Sequence, residues 1–178
     1  MSLYISGSNR KHNSYNFLKD LMEEKDKLIS LADLDIKYCL GCSNCIKKLQ
    51  NYCVLKDDMK YIYDEMLKTD KIIIMSPIYM NQITGILKNM IDRLNPFSCH
   101  ELLKGKKIYL ITVGQMDEEE NEEIAKDIKK YFEGISEFFY FDFKYIINLS
   151  SGDLDNIKEN YKEKYVDIIN EIKEKIGE

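Results

Sequence analysis

Two short runs of apolar residues constrain the fold of this chain more than any other feature of its sequence. Residues 72–75 (Ile-Ile-Ile-Met) and 108–113 (Ile-Tyr-Leu-Ile-Thr-Val) lack polar alternation, which predicts strands buried on both faces. Such strands belong to parallel sheets that helices cover on both sides. Residues 3–6 and 35–38 are shorter strand candidates of the same kind. Residues 139–147 alternate between apolar and polar positions, which predicts a half-exposed edge strand.

Amphipathic segments separate these strands. Their apolar stripes at helical spacing are Phe17, Leu18, Leu21 and Met22; Met59, Ile62 and Met66; Ile86, Leu87, Met90, Ile91 and Leu94; Ile124, Ile128, Tyr131 and Phe132; and Leu154, Ile157, Tyr161, Ile168, Ile172 and Ile176. Five strands that alternate with five helices predict an α/β fold, a doubly wound five-stranded parallel sheet with helices on both faces. The 178 residues suit a single domain over residues 1–178. In this architecture ligands bind at the carboxyl ends of the strands.

Charge and hydropathy exclude several classes of partner. The net charge is −5, with 26 basic against 31 acidic residues, which argues against a nucleic-acid binder. No apolar run approaches the ~18–20 residues that span a bilayer, and residues 1–7 lack the apolar stretch of a signal peptide. We therefore expect a cytoplasmic protein with reduced thiols and with neither nucleic-acid nor membrane partners.

The loop after the first strand, residues 7–14, leads directly into a helix. Free backbone amides at a helix N-terminus, with the positive end of the helix dipole, favour a phosphate group. Arg10 is one of only two arginines in the chain and offers a bidentate, charge-assisted contact to such a group. The alternative is an ordinary N-cap, in which Asn13 or Ser14 bonds the free amides and Arg10 lies in solvent. The loop matches neither the dinucleotide-binding nor the Walker pattern.

The loop after the third strand is predicted over residues 76–85. Pro77 directs the chain out of the sheet in an extended conformation, so that its backbone groups can meet a flat heterocycle. Thr84 is a candidate N-cap for the next helix. Asp92 and Arg93 at the end of that helix are interpreted as a structural ion pair or a helix-end cap.

Four segments, residues 7–14, 76–79, 87–93 and 103–107, resemble the NADPH-dependent FMN reductase family of the flavodoxin-like superfamily. The resemblance runs from residue 5 to about residue 114 and implies a flavodoxin-like sheet of order 2-1-3-4-5 that holds FMN. It assigns the FMN phosphate to Ser8, Arg10, Asn13, Ser14 and Tyr15. It places the flavin ring against Pro77, Ile78, Tyr79, Met80 and Asn81, with Gly114 closing the far side.

The resemblance also implies an activity. Electrons from NAD(P)H would pass through the flavin to a small-molecule acceptor such as a flavin or a quinone, and no catalytic side chain is required because the flavin carries the chemistry. The family further implies a homodimer or a higher homo-oligomer. Two alternatives stay open: an electron carrier reduced by a ferredoxin-like partner, and a regulatory flavin- or metal-binding module without turnover. With only His12 and His100 as histidines, the chain offers little for a hydrolase.

A cysteine-rich insertion at about residues 39–53 carries the motif C-x2-C-x2-C-x7-C, formed by Cys39, Cys42, Cys45 and Cys53. Two-residue spacing is typical of [4Fe–4S] ligation, and Gly41 permits a tight wrap. A zinc site, a redox dithiol and inert small residues remain alternatives. The motif resembles the iron–sulfur flavoprotein branch of the same family. The fifth cysteine, Cys99, lies outside it.

Overall fold

The computed structural model describes residues 1–151 and 157–177. Leu154, which the sequence assigns to the last helical stripe, lies outside these residues. Within them the strands are β1 (Leu3–Ser6), β2 (Lys27–Ser30), β3 (Lys71–Tyr79), β4 (Gln82–Ile83), β5 (Lys107–Gly114) and β6 (Asp142–Ser150). The α-helices are α1 (Asn13–Leu21), α2 (Asn44–Lys47), α3 (Met59–Leu67), α4 (Gly85–Asp92), α5 (Asn95–Ser98), α6 (Glu118–Phe139), α7 (Ile157–Asn160) and α8 (Tyr165–Gly177).

The main sheet has the strand order β2-β1-β3-β5-β6, and every neighbouring pair in it is parallel. The short strand β4 lies off this path and pairs antiparallel with the end of β3. Numbering only the parallel strands along the chain gives the order 2-1-3-4-5. The prediction of a doubly wound, flavodoxin-like sheet is therefore confirmed.

Alternate residues of the central strands feed two separate cores, because successive side chains of a strand point to opposite faces. Ile72 and Ile74 of β3 pack on one face with residues of α3, α4 and α6. Ile73 and Met75 pack on the other face with residues of α1 and α8. Ile73 is fully buried, and burying a side chain of this size contributes about 1.5–3 kcal/mol to stability.

The second strand is not where the sequence predicted it. Residues 35–38 lie outside the sheet, and the strand is β2 (Lys27–Ser30). Because β2 is an edge strand, Lys27 and Leu28 are only half-buried, and the segment lacks a clear apolar run. Residues 35–38 run alongside α4 instead, where the side-chain amide of Asn89 donates to the carbonyl of Ile36 at 2.7 Å.

The predicted edge strand at residues 139–147 begins later than expected. Helix α6 continues through Phe139 and ends at Tyr140, whose φ is 61°, and β6 follows as the opposite edge of the sheet. Phe139 of α6 is buried and Phe143 of β6 packs against the same core, so one aromatic run serves the end of a helix and the start of a strand. A register shift opposite Leu110 and Ile111 then breaks the simple alternation along β6.

No helix in residues 1–151 and 157–177 combines the length and the apolar character that crossing a membrane requires.

Candidate functional site

Helix α1 begins without a side-chain cap. His12 occupies its N-cap position, and no side chain of the described residues accepts a hydrogen bond from the amides of the first turn. Helices α4 and α6 differ: Thr84 accepts from the Leu87 amide at 3.3 Å, and Asp117 accepts from the Glu120 amide at 3.0 Å. The predicted cap at Thr84 is thus present, whereas the N-cap alternative for Asn13 or Ser14 is absent. The uncapped α1 is suited to an external anion.

The loop before α1 is shaped by its own hydroxyl. Ser8 is buried, and its Oγ accepts a hydrogen bond from the Arg10 amide at 3.1 Å. Lys11 forms an ion pair with Asp33, with its Nζ 2.6 Å from a carboxylate oxygen. The guanidinium of Arg10 takes no ion pair within the described part of the chain. Arg10 is therefore the cation of this loop that remains available to an anion.

These groups border a cavity of about 90 Å³ at the carboxyl ends of the strands, which we call the strand-end cleft. Eight of the eleven residues assigned to FMN line it, namely Ser8, Arg10, Asn13, Ser14, Pro77, Ile78, Tyr79 and Gly114. The loops after β1 and β5 and the end of β3 all reach it. The structure thus brings together residues that lie more than 100 positions apart.

Three of the assigned residues do not line the strand-end cleft. The ring of Tyr15 lies under the ammonium groups of Lys11 and Lys19, at 5.6 and 5.8 Å from its centroid. Met80 and Asn81 form the turn between β3 and β4, with φ values of 48° and 60°. Met80 is 96% exposed, so this turn stands at the rim.

The predicted second loop is largely strand. Residues 76–79 continue β3, and Pro77 pairs with Val113 of β5. The chain then turns back through β4 into α4. Thr84 caps α4 and also donates from its Oγ1 to the carbonyl of Gly7, which joins this segment to the first loop.

The third wall depends on the absence of a side chain at Gly114. A Cβ there would lie 1.8 Å from Oδ1 of Asn121, a buried residue of α6 whose amide nitrogen donates to the Leu149 carbonyl at 2.9 Å. The Gly114 carbonyl accepts from both the amide and the hydroxyl of Ser151, at 2.8 and 3.0 Å. The end of β6 therefore holds the loop after β5 in place.

Sequence reasoning missed four residues of the strand-end cleft: His12, Val113, Gln115 and Ser151. Ser151 was findable, because it follows the last parallel strand and the carboxyl ends of such strands meet at one edge. The predicted strand ended at residue 147, whereas β6 ends at Ser150, so the prediction did not place Ser151 at the strand end. His12 and Gln115 adjoin assigned residues, so they lie on the same predicted loops that line the cleft.

The size and donors of the strand-end cleft fit one end of FMN. A volume of about 90 Å³ is well below the ~300–1,000 Å³ of typical small-molecule pockets, which suits a phosphate group and not a whole flavin nucleotide. Uncapped amides and Arg10 supply the donors for a phosphate. The flat ring would lie at the mouth, beside Tyr79, which is 39% exposed.

The four motif cysteines lie in what we call the cysteine loop, residues 38–56. Cys39 and Cys42 are exposed, and Cys45 and Cys53 are half-buried. A hydrogen bond from the backbone of Asn44 lowers the pKa of the Cys42 thiol, and the side-chain amide of Asn44, which donates to Sγ of Cys42 at 3.4 Å, adds to this effect. Gly41 adopts a φ of 62°, as its predicted role in the wrap requires.

The structure also brings Cys99 to this loop, which the sequence did not predict. Its Sγ lies 3.8 Å from the Cys45 carbonyl, and the side chain of Asn95 donates to Sγ of Cys45 at 3.4 Å. Even so, in residues 1–151 and 157–177 no three His, Cys, Asp or Glu side chains are placed to hold a metal ion. The donor chemistry suits a metal, but this arrangement of the thiols does not.

Of the two interpretations of Asp92 and Arg93, an ion pair between them is wrong, whereas Arg93 does occupy the C-cap position of α4. Arg93 pairs with Asp57, at 2.7 and 3.1 Å, and both side chains are fully buried. Asp92 pairs instead with Lys88 one turn earlier on α4. At the end of the helix the Arg93 side chain turns inward, where a charge requires a partner.

A second cavity, a groove of about 1,030 Å³ along the cysteine loop, is larger than the strand-end cleft. It runs beside residues 49–57 and is bordered by Lys60, His100 and Leu102. It opens broadly to solvent, and the uncapped helix end and Arg10 lie elsewhere. Chemistry therefore favours the smaller cleft as the cofactor site.

Comparison with known proteins identifies the family of this chain. The sequence profile of the NADPH-dependent FMN reductases matches residues 2–123. The chain belongs to this family. Among its relatives, an iron–sulfur flavoprotein of Archaeoglobus fulgidus is 40% identical over 97 residues, covering 51% of this chain and 47% of the relative. An iron–sulfur flavoprotein of Methanocaldococcus jannaschii is 34% identical over 129 residues, covering 68% of this chain and 64% of the relative.

The matched region thus spans about half to two thirds of the length of these iron–sulfur flavoprotein relatives. Among solved structures, general stress protein 14 of Treponema denticola in complex with FMN superposes with a TM-score of 0.67. It is 12% identical, and the match covers 99% of this chain and 97% of that protein. At this identity the likeness establishes the flavodoxin-like fold alone.

Proposed function

We propose that this protein is an FMN-dependent oxidoreductase that takes electrons from NAD(P)H and passes them to a small-molecule acceptor. The observation that carries the proposal is the uncapped N-terminus of α1, with Arg10 beside it at the strand-end cleft. Membership of the NADPH-dependent FMN reductase family supports the same conclusion.

The residues of the cleft bind and orient the cofactor. The amides of α1 and the guanidinium of Arg10 hold the phosphate, since both are donors suited to a charged acceptor. The β3–β4 hairpin supplies Tyr79 and Met80 as apolar surface beside the ring. On the other side of the cleft, Gly114 lets the end of β5 pack closely against α6, because Asn121 leaves no room for a Cβ. When bound, FMN supplies the electron chemistry.

The test is an anaerobic titration of the purified protein with FMN, followed by addition of NADH or NADPH. We expect a stoichiometric flavin absorbance that bleaches within seconds to minutes of nicotinamide addition. A protein that binds no FMN would refute the assignment of the site. A flavin that stays oxidised with either nicotinamide would refute the proposed electron donor.

A second candidate is an electron carrier of the iron–sulfur flavoprotein type, reduced by a ferredoxin-like partner. The four cysteines and the names of the relatives favour it. The thiols are not gathered in the structure, so we derive no electron path through a [4Fe–4S] cluster here. Bleaching by a reduced ferredoxin but not by NAD(P)H would select this candidate. Iron and acid-labile sulfide in anaerobically purified protein would identify the cluster.

A further inference from the structure

The two ends of the cysteine loop are tied to each other. The amide of Lys37, just before the loop, donates to Oδ2 of Asp57, just after it, at 3.0 Å. Further from the loop, the Asp35 amide donates to Oδ2 of Asp58 at 2.8 Å, and the Asp58 amide donates to the Asp35 carbonyl at 3.1 Å. The loop therefore leaves and re-enters the fold at a closed base.

Arg93 joins that base to the body of the protein. Its Nη1 donates to the Lys37 carbonyl and to Asp57, and its Nη2 donates to the second oxygen of Asp57. One guanidinium thus bonds both ends of the cysteine loop. The Tyr63 hydroxyl of α3 donates to the Arg93 carbonyl, so the residue is held from its backbone side as well.

Beyond the base, the cysteine loop is held more loosely. Helix α2 is a single turn, and Tyr38 and Leu40 are 79% and 70% exposed. Contacts with the body come from α5 and the residues that follow it, including the Asn95 contact to Cys45 and the 2.8 Å hydrogen bond between His100 and the Leu49 carbonyl. They also come from α3, where Asp64 accepts a hydrogen bond from the Tyr52 hydroxyl at 2.9 Å and the ring of Tyr63 packs against that of Tyr52. Cys53 packs at the margin of the core.

We propose that Arg93 is a positioning residue for the thiols of the cysteine loop. By fixing the base, it keeps Cys45 against α5 and Cys53 against the core. Any rearrangement that gathers the four thiols is then confined to residues 38–56. This role of Arg93 is independent of what the thiols bind.

The guanidinium suits this role because of its shape. Its planar fork meets both oxygens of Asp57 while a further N–H reaches the Lys37 carbonyl. A lysine ammonium is a point charge on a flexible stem and cannot reproduce that fork. Arg93→Lys therefore keeps the charge and removes the geometry. Asp57→Asn keeps most of the shape and removes the carboxylate charge.

The test measures alkylation rates of each cysteine by iodoacetamide in the FMN-loaded protein, under anaerobic conditions and with mass-spectrometric readout. In Arg93→Lys and Asp57→Asn we expect the rates at Cys45 and Cys53 to rise about tenfold through local opening, towards those of Cys39 and Cys42. We expect the FMN dissociation constant to stay within about twofold, since the cleft and the loop base lie apart.

Asp92→Asn is the matched control, because it removes an exposed ion pair from the same helix. Its alkylation pattern should match that of the wild type. Unchanged rates at Cys45 and Cys53 in both test variants would overturn the proposal. Both variants could instead lose FMN binding together with the protection of all five cysteines. That result would also overturn the proposal, since the thiols would then be exposed by global unfolding and not by local opening of the loop. If only Arg93→Lys fails to fold, Asp57→Asn decides.

Discussion

At the scale of single residues, the chain uses its two arginines for different tasks. Arg10 borders the strand-end cleft without an ion pair among the described residues, whereas Arg93 is buried in one. The remaining basic side chains are lysines, and Lys11 in the same loop as Arg10 is already paired with Asp33. The two neighbours therefore form a natural test and control.

Replacing Arg10 should weaken the binding of FMN and leave the binding of riboflavin unchanged. Arg10→Ala removes a charge-assisted bond to phosphate, which is worth about 1.5–3 kcal/mol, whereas riboflavin has no phosphate to lose. Fluorescence quenching titrations with both ligands measure the difference. Lys11→Ala should leave both affinities within about twofold, because its partner is Asp33. Equal affinities of the wild type and Arg10→Ala for FMN would show that Arg10 does not contact the phosphate.

At the scale of elements, two glycines on neighbouring segments have opposite environments. Gly114 ends β5 in contact with Asn121, while Gly134 lies on the exposed face of α6 with nothing within 4 Å of a Cβ position. The same methyl group therefore meets a buried amide at one site and open space at the other.

Alanine at these positions should change stability in opposite directions. Gly114→Ala forces Asn121 aside and should cost about 1–3 kcal/mol or more. Gly134→Ala removes the backbone entropy of a helical glycine and should add about 0.5–1 kcal/mol. Urea unfolding gives both values. A tolerated Gly114→Ala with normal FMN binding would show that the wall of the cleft is more adaptable than its contacts indicate.

At the scale of the whole molecule, stability should depend on acid through the Asp57–Arg93 pair. Burial raises the pKa of Asp57, but the hydrogen bonds from Arg93 and the Lys37 amide outweigh it, so the pKa of Asp57 lies below its usual range. The unfolded chain then binds the proton more readily than the folded one. This part of the stability is present above about pH 4 and is lost as pH falls through the lowered pKa.

Asp57→Asn should therefore lower the free energy of unfolding by about 3–5 kcal/mol at pH 7, since it leaves Arg93 buried without its partner. The difference in unfolding free energy between the wild type and the variant should narrow below about pH 4. Unfolding by urea across pH 3–7 measures it. Asp92→Asn, which breaks an exposed pair, should cost under about 1 kcal/mol at every pH. If the difference in unfolding free energy between the wild type and Asp57→Asn stays constant with pH, the predicted coupling between stability and protonation of Asp57 is wrong.

Much of this architecture could be read from local pattern. Residues 72–75 and 108–113 are apolar on both faces, and such runs are stable only inside a covered parallel sheet. The edge strands are harder to predict from the sequence, because β2 is only half-buried and its apolar pattern is correspondingly weak. The first loop and the end of β3 were identified as a site because strand ends converge in this fold.

The sequence alone was enough to predict the class of fold, the loops that line the strand-end cleft and the motif of four cysteines. Tertiary structure alone decided the partners of individual side chains. Arg93 meets Asp57, 36 positions away, and Ser151 meets Gly114, because buried charges and buried carbonyls must be paired by whatever the fold brings near. Such pairings depend on distance in space, which local periodicity does not encode.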